Sequence, residues 1–178
     1  GKENNAITMY LKNLLALEIV RRRTSVGGGG RKIVYDIGDN LYRFWYFFMP
    51  RCASMISMGL PDAAWEREIA PLMNDYFGHI FEDVCLQFLM REMAAGKIEL
   101  LYDEFGFWRG ANPAQKRMED IDVVLSGREA LLVGECKWQN EPMEAAVFDT
   151  LLARGELIRE GRKTAYALFS KSGFAGSL

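Results

Sequence analysis

Two strand candidates, Glu119 to Leu125 and Glu129 to Lys137, are joined by nothing more than Ser126-Gly127-Arg128. A linker that short makes the chain turn straight back, so the two runs are expected to pair as a hairpin. The surrounding pattern completes a layered order. Ahead of the hairpin, helical spacing after Pro61-Asp62 carries Trp65, Ile69, Leu72 and Met73, is interrupted near Gly78, and resumes from Ile80 to Leu89 before Gly96 ends it. A first strand is expected over Glu104 to Arg109. After the hairpin, Pro142 stands where a helix N1 proline should, Val147, Leu151, Leu152, Leu157 and Ile158 supply an apolar side, and Thr164 to Phe169 reads as a last strand. Residues 62–170 therefore read helix, strand, strand, strand, helix, strand, an α/β arrangement.

The chain has 178 residues, 49% of them apolar, enough to bury roughly two-thirds of its unfolded surface around a true core. No apolar run approaches the roughly 20 residues that cross a bilayer, and no charged-then-apolar signal segment opens the chain. Cys52, Cys85 and Cys136 form no CxxC pair and no even disulfide framework, so a reducing cytoplasm is the expected location. The single histidine, His79, excludes Ser-His-Asp and HExxH chemistry, which leaves carboxylates, lysine or a metal for any catalysis.

The net charge of -2 hides an asymmetry: residues 1–35 carry seven Lys and Arg against two acids, and residues 36–178 carry fifteen against twenty-two. In the first part, Asn5 to Val20 follows helical spacing, with Asn4 or Asn5 able to cap it. Arg21-Arg22-Arg23 and Arg31-Lys32 then flank Gly27 to Gly30 in a basic hairpin. Those five cations can hold phosphates or form a solvated face. The glycines lack the G-x-x-x-x-G-K-[ST] spacing of an ATP loop. Asp39 can cap a helix from Asn40, and the run through Tyr42, Phe44, Trp45, Tyr46, Phe47 and Phe48 is expected to stop at Pro50; such aromatics serve packing between subdomains or base stacking.

The chemistry-bearing residues lie on the hairpin. Asp120 and Asp122 differ by two positions, so period-2 geometry puts them on one side with Ile121, Val123 and Leu125 on the other, and Glu135 and Lys137 likewise share a side. A turn at Gly127 brings Asp122 toward Glu135. Like charges that close raise one another's pKa unless a cation sits between them. Hard oxygen donors suit Mg²⁺ or Mn²⁺, which activate water near neutral pH, with Lys137 orienting that water and offsetting phosphate charge. The same group also reads as a structural salt-bridge cluster. Cys136, between the two, is expected to point into the opposite layer, although its backbone carbonyl could reach a metal.

Asp120-Ile121-Asp122 followed, twelve residues on, by Glu135-Cys136-Lys137 resembles the core of the PD-(D/E)XK nuclease superfamily. Tyr35 to Trp45, Gly78-His79-Ile80-Phe81-Glu82 and Gly134 to Trp138 are similar to the C-terminal region of a prokaryotic P-loop ATPase family often called archaeal ATPases. The resemblance implies a restriction-endonuclease-like α-β-β-β-α-β core over 61–178. Ahead of it, 1–60 would hold a partial winged-helix segment, with a recognition-type helix at 5–20, a wing at 21–35 and an aromatic connecting helix, the whole following an ATPase module. Residue by residue, Asp122 takes the place of the metal-binding aspartate, Glu135 of the second acid, Lys137 of the lysine and Glu82 of the helix glutamate. Ile121 stands where the motif has proline, and Asp120 is an additional acid that could bind a second metal.

Two functions follow. The first is Mg²⁺- or Mn²⁺-dependent hydrolysis of DNA by Asp122, Glu135, Lys137 and Glu82. The second is a non-catalytic DNA-binding, regulatory or self-association module of the ATPase, in which the nuclease-like fold is a platform.

Overall fold

The computed structural model of the chain describes residues 2–27, 32–98 and 102–176, the side chains of 2–5 excepted. Gly28 to Gly30 of the glycine tip and Arg31 lie outside the described residues. Two compact units emerge, one made of Gly1–Arg23 and Ile33–Met73, the other of Thr24–Lys32 and Asn74–Leu178.

In the first unit, α1 (Lys2–Ala16) begins before Asn4 and Asn5 and ends short of the expected Val20. Glu18 adopts φ 56, its N–H donates to Leu15 O at 3.1 Å, and Ile19 N–H donates to Leu14 O at 3.1 Å. That is a Schellman closure built on a residue other than glycine, and it releases the chain into β1 (Val20–Thr24). β1 pairs with β2 (Ile33–Ile37) in a two-stranded sheet. Asp39 caps α2 (Asn40–Ser57) by accepting from Tyr42 N at 2.9 Å, an interaction worth about 1 kcal/mol. Contrary to expectation, Pro50 does not stop α2. It removes one helical hydrogen bond, but the fully buried Phe48 and Cys52 flank it and hold the following turns in line.

The helix expected from Pro61 onward is broken before Met73 rather than near Gly78. α3 (Pro61–Ala64) is followed by a wide π turn, Trp65–Ile69, and a 3₁₀ turn, Ala70–Leu72. Pro71 has no N–H to give the preceding turn, so Ala70 N–H reaches back to Trp65 O and the ladder widens. This stretch packs on α2. Consequently the first unit extends to Met73, beyond the expected boundary at residue 60. α4 (Met73–Ala94) runs unbroken through Gly78.

In the second unit, β3 (Glu104–Asn112), β4 (Arg117–Ser126), β5 (Ala130–Lys137) and β6 (Lys163–Ser170) form a mixed sheet in that order. β3–β4 and β4–β5 are antiparallel, and β5–β6 is parallel through α5 (Ala145–Glu156). The expected helix and strand order is the observed one, and the fold is α/β. α5 starts at Ala145, past Pro142, because Met143 is held by Phe174 as an isolated bridge, with its N–H on Gly173 O at 3.0 Å. Cys85 and Leu89 of α4 pack on Val123, Leu125, Leu132 and Cys136, while Leu151 of α5 and Ile158 pack on Ile121, Val124, Leu131 and Val133. Each such aliphatic burial stabilises the fold by about 1.5–3 kcal/mol. The segment after β1 joins this unit too: Val26 N–H donates to Phe107 O at 2.8 Å, and its side chain enters the α5-side cluster against Trp108.

Candidate functional site

The β4–β5 ladder runs from Ser126–Leu131 to Val123–Gly134 and ends there. Asp122 and Glu135 are the next residue on each strand. β4 bulges at that point: Gly106 faces Val124 but Trp108 faces Ile121, so Asp122 and Val123 together oppose Phe107. A bulge re-aims side chains. It explains why Ile121 joins the α5-side cluster while Val123 and Leu125 join the α4-side one, where strict alternation had put all three together. β5 continues beyond the ladder with β6 alone, and Cys136 N–H donates instead to Asp122 Oδ2 at 2.8 Å. The Asp122 carboxylate thus lies in the gap between the parting strands.

Glu135 shares the α5 side with Leu131 and Val133, and it is 5% exposed. Its Oε1 takes Lys137 Nζ at 2.5 Å, and its Oε2 takes Arg154 Nη1 at 3.2 Å. Arg154 also gives Nε to Glu119 Oε2 at 3.0 Å, while Glu119, 4% exposed, takes Arg117 Nε on Oε1 at 2.7 Å. Arg117, Glu119, Arg154, Glu135 and Lys137 therefore form one continuous ion chain into the site.

The electrostatics follow from these contacts. Burial, and then the charge of Glu135, push the Asp122 carboxyl up to about 7; the Cys136 N–H opposes this, Glu82 adds to it and Lys137 opposes it. Burial alone would pull Lys137 down, but its hydrogen bond to Glu135 and the charges of Glu135 and Asp122 outweigh that and leave its pKa above the ordinary value. The hydrogen bond from Arg117, against burial and with further help from Arg154, lowers Glu119.

Of the residues singled out in the sequence, Asp122, Glu135, Lys137 and Glu82 act on one another. Glu82, on α4, stands 3.3 Å from His79 Nδ1, and His79 is largely exposed in mid-helix. Asp120 is exposed, set across the strands from Arg109. Cys136 points away into the α4-side cluster, where a side-chain hydrogen bond with Cys85, then burial, raise its thiol. Trp138 packs against Phe77 and Phe81. Among the described residues no three or more of His, Cys, Asp and Glu converge to hold a metal, so a cation here would rest on Asp122, Glu135 and water. Two carboxylates with retained waters suit Mg²⁺ or Mn²⁺, so the chemistry of the donor set fits such an ion.

Arg154 and Glu119 escaped the sequence reading. Their signals were present: Glu119 stands two before Ile121 on a strand, and Arg154 is three after Leu151 and four before Ile158 on an otherwise apolar helical face. Of the basic set, Arg21 Nη2 is 3.1 Å from Asp36 Oδ2, which Arg43 also holds at 2.8 Å; Arg22 and Lys32 are exposed, Arg23 is half-buried, and Arg31 lies outside the described residues.

Residues 45–148 match the family model DUF234, described as archaeal and bacterial proteins of unknown function. The chain is 30% identical over 145 residues to the uncharacterized protein MJECL04 of Methanocaldococcus jannaschii, an alignment covering 79% of this chain and 31% of that protein. The chain thus spans about a third of the curated relative it matches. No solved structure matches it. Among the described residues no helix is long and apolar enough to cross a membrane.

Proposed function

We propose, for a chain that belongs to the DUF234 family of archaeal and bacterial proteins of unknown function, that Asn74–Leu178, the larger part of the second unit, is a PD-(D/E)XK-type nuclease domain hydrolysing DNA with Mg²⁺ or Mn²⁺. One observation carries the reading: at the end of the β4–β5 ladder Asp122 and Glu135 stand close enough for one charge to raise the other, with Lys137 bonded to Glu135 beside them. A divalent ion held by Asp122 and Glu135 would supply an activated water and offset phosphate charge. The chain's own residues divide the remaining work. Cys136 N–H fixes the Asp122 carboxylate, Glu135 aims the Lys137 ammonium, and Lys137, kept protonated by its neighbours, stabilises charge on the reacting phosphate as a cation rather than taking a proton. Glu82 contributes negative charge from α4.

Residues 1–60 are read as the partial winged-helix segment, with Arg22, Arg23, Arg31 and Lys32 on the duplex backbone and Arg21 held instead by Asp36, and the whole as a cytoplasmic partner of a P-loop ATPase module in the same protein. The relative's greater length leaves room for such a module. Incubating plasmid and branched DNA with and without Mn²⁺ tests this: metal-dependent cleavage supports it, and intact DNA together with no Mn²⁺ binding by calorimetry overturns it. A second reading, the non-catalytic DNA-binding, regulatory or self-association platform, is favoured by a specific contact, since Lys137 and Arg154 already occupy both oxygens of Glu135.

A further inference from the structure

Arg154 touches two buried carboxylates with different nitrogens, Nε on Glu119 at 3.0 Å and Nη1 on Glu135 at 3.2 Å. The Glu119 contact is a tether independent of the site: Glu119 lies on β4 beyond the bulge and is held on its other oxygen by Arg117. The Glu135 contact is different, because that oxygen is one a divalent cation would need. A buried carboxylate cannot give its full charge to a guanidinium, an ammonium and a divalent ion together without strong repulsion among the three cations. Arg154 is one-fifth exposed and sits in the last turn of α5, where the guanidinium can turn about its Glu119 contact.

The geometry points to Arg154 as a built-in latch: a resident cation that fills the acidic site when no metal is bound and yields Glu135 to an incoming Mg²⁺ or Mn²⁺ while remaining anchored on Glu119. This rests on the two-carboxylate cation site proposed above. The latch sets the metal concentration at which the site fills, and it keeps two buried glutamates satisfied until then.

Mn²⁺ binding to the whole chain, measured by calorimetry without any activity assay, tests it. Arg154→Gln should tighten binding by about tenfold, the worth of one charge-assisted bond to a buried carboxylate. Glu119→Gln, which cuts the tether and leaves Arg154 with Glu135 alone, should weaken it. Arg117→Gln removes the same charge from the same ion chain without touching Glu135 and should change affinity less than about twofold, by distance and screening. Equal tightening by Arg117→Gln and Arg154→Gln would reduce the effect to a general field and overturn the latch, as would unchanged or weaker binding by Arg154→Gln. If Arg154→Gln does not fold, Arg154→Lys decides: a lysine reaches one carboxylate at a time and should tighten binding about threefold, whereas unchanged or weaker binding overturns the inference. If neither wild type nor Arg154→Gln binds Mn²⁺, the cation site itself fails. Binding that appears only in Arg154→Gln supports the latch in its strongest form.

Discussion

The backbone N–H of Cys136 donates to Asp122 Oδ2 at 2.8 Å, across the point where β4 and β5 stop pairing with each other. That bond replaces a ladder hydrogen bond with one to a side chain, and it fixes a carboxylate that its surroundings oppose ionising. Asp122 is raised from its ordinary 3.8 to about 7, so between those values the folded chain keeps a proton that the unfolded chain releases. The unfolded state then binds fewer protons, and stability must fall as pH rises through that window. Thermal melts of the metal-free protein should show this fall between about pH 4 and pH 7, in the direction opposite to an ordinary ion-paired aspartate. Asp122→Asn, whose amide oxygen still accepts from Cys136, should flatten the slope and melt higher than wild type at pH 8. An unchanged slope in Asp122→Asn would place the titrating group elsewhere.

Lys137→Ala separates chemistry from metal binding. The ammonium sits on Glu135 Oε1 and is kept charged by Glu135 and Asp122. Its removal should abolish DNA cleavage, because the phosphate loses its nearest cation, while Mn²⁺ affinity should not weaken, because one competitor for Glu135 has gone. Loss of both together would mean that Lys137 is needed to shape the site.

The α/β order and the residues of the acidic site were legible because they depend on local spacing: a three-residue link makes a hairpin, and period 2 sets Glu135 beside Lys137. What stayed hidden depends on partners distant in the chain. Alternation put Ile121 with Val123, but the bulge at Asp122, visible only against β3, separates them. Arg154 reads as one charge on the apolar face of α5 until Glu119 and Glu135 are brought under it from positions far apart in sequence. Pro50 and Pro71 look alike as breakers. The first is carried through by buried neighbours on both sides, while the second distorts the chain into a π turn and a 3₁₀ turn.

Gly110 offers a test of the β3 end of the sheet. A Cβ there would fall 2.2 Å from Trp108 Cζ2, so the indole, itself 5% exposed, occupies the space a side chain at 110 would need. Gly110→Ala should expel the ring from the α5-side cluster and cost about 2 kcal/mol or more, as overpacking of a well-filled core does. A lowered melting temperature with red-shifted tryptophan emission is expected; a melt within a degree or so of wild type would show that the strand can shift to make room.

On the basic hairpin the cations are not equivalent. Arg21 is committed to Asp36, which Arg43 also grips, so Arg21→Ala should mainly loosen the small sheet and lower the stability of the first unit. Arg22 is the exposed arginine of the same strand, and Arg23 lies next to it, half-buried. Each phosphate neutralised on duplex DNA contributes about 0.9 to the slope of log affinity against log salt. Replacing Arg22 and Arg23 together by alanine should therefore weaken duplex binding in low salt and reduce that slope by about 1–2, equally for unrelated sequences, since contacts of this type do not read bases. Binding curves at several salt concentrations measure it directly. A slope equal to the wild-type value would leave the hairpin a solvated face and move the DNA contact elsewhere on the chain.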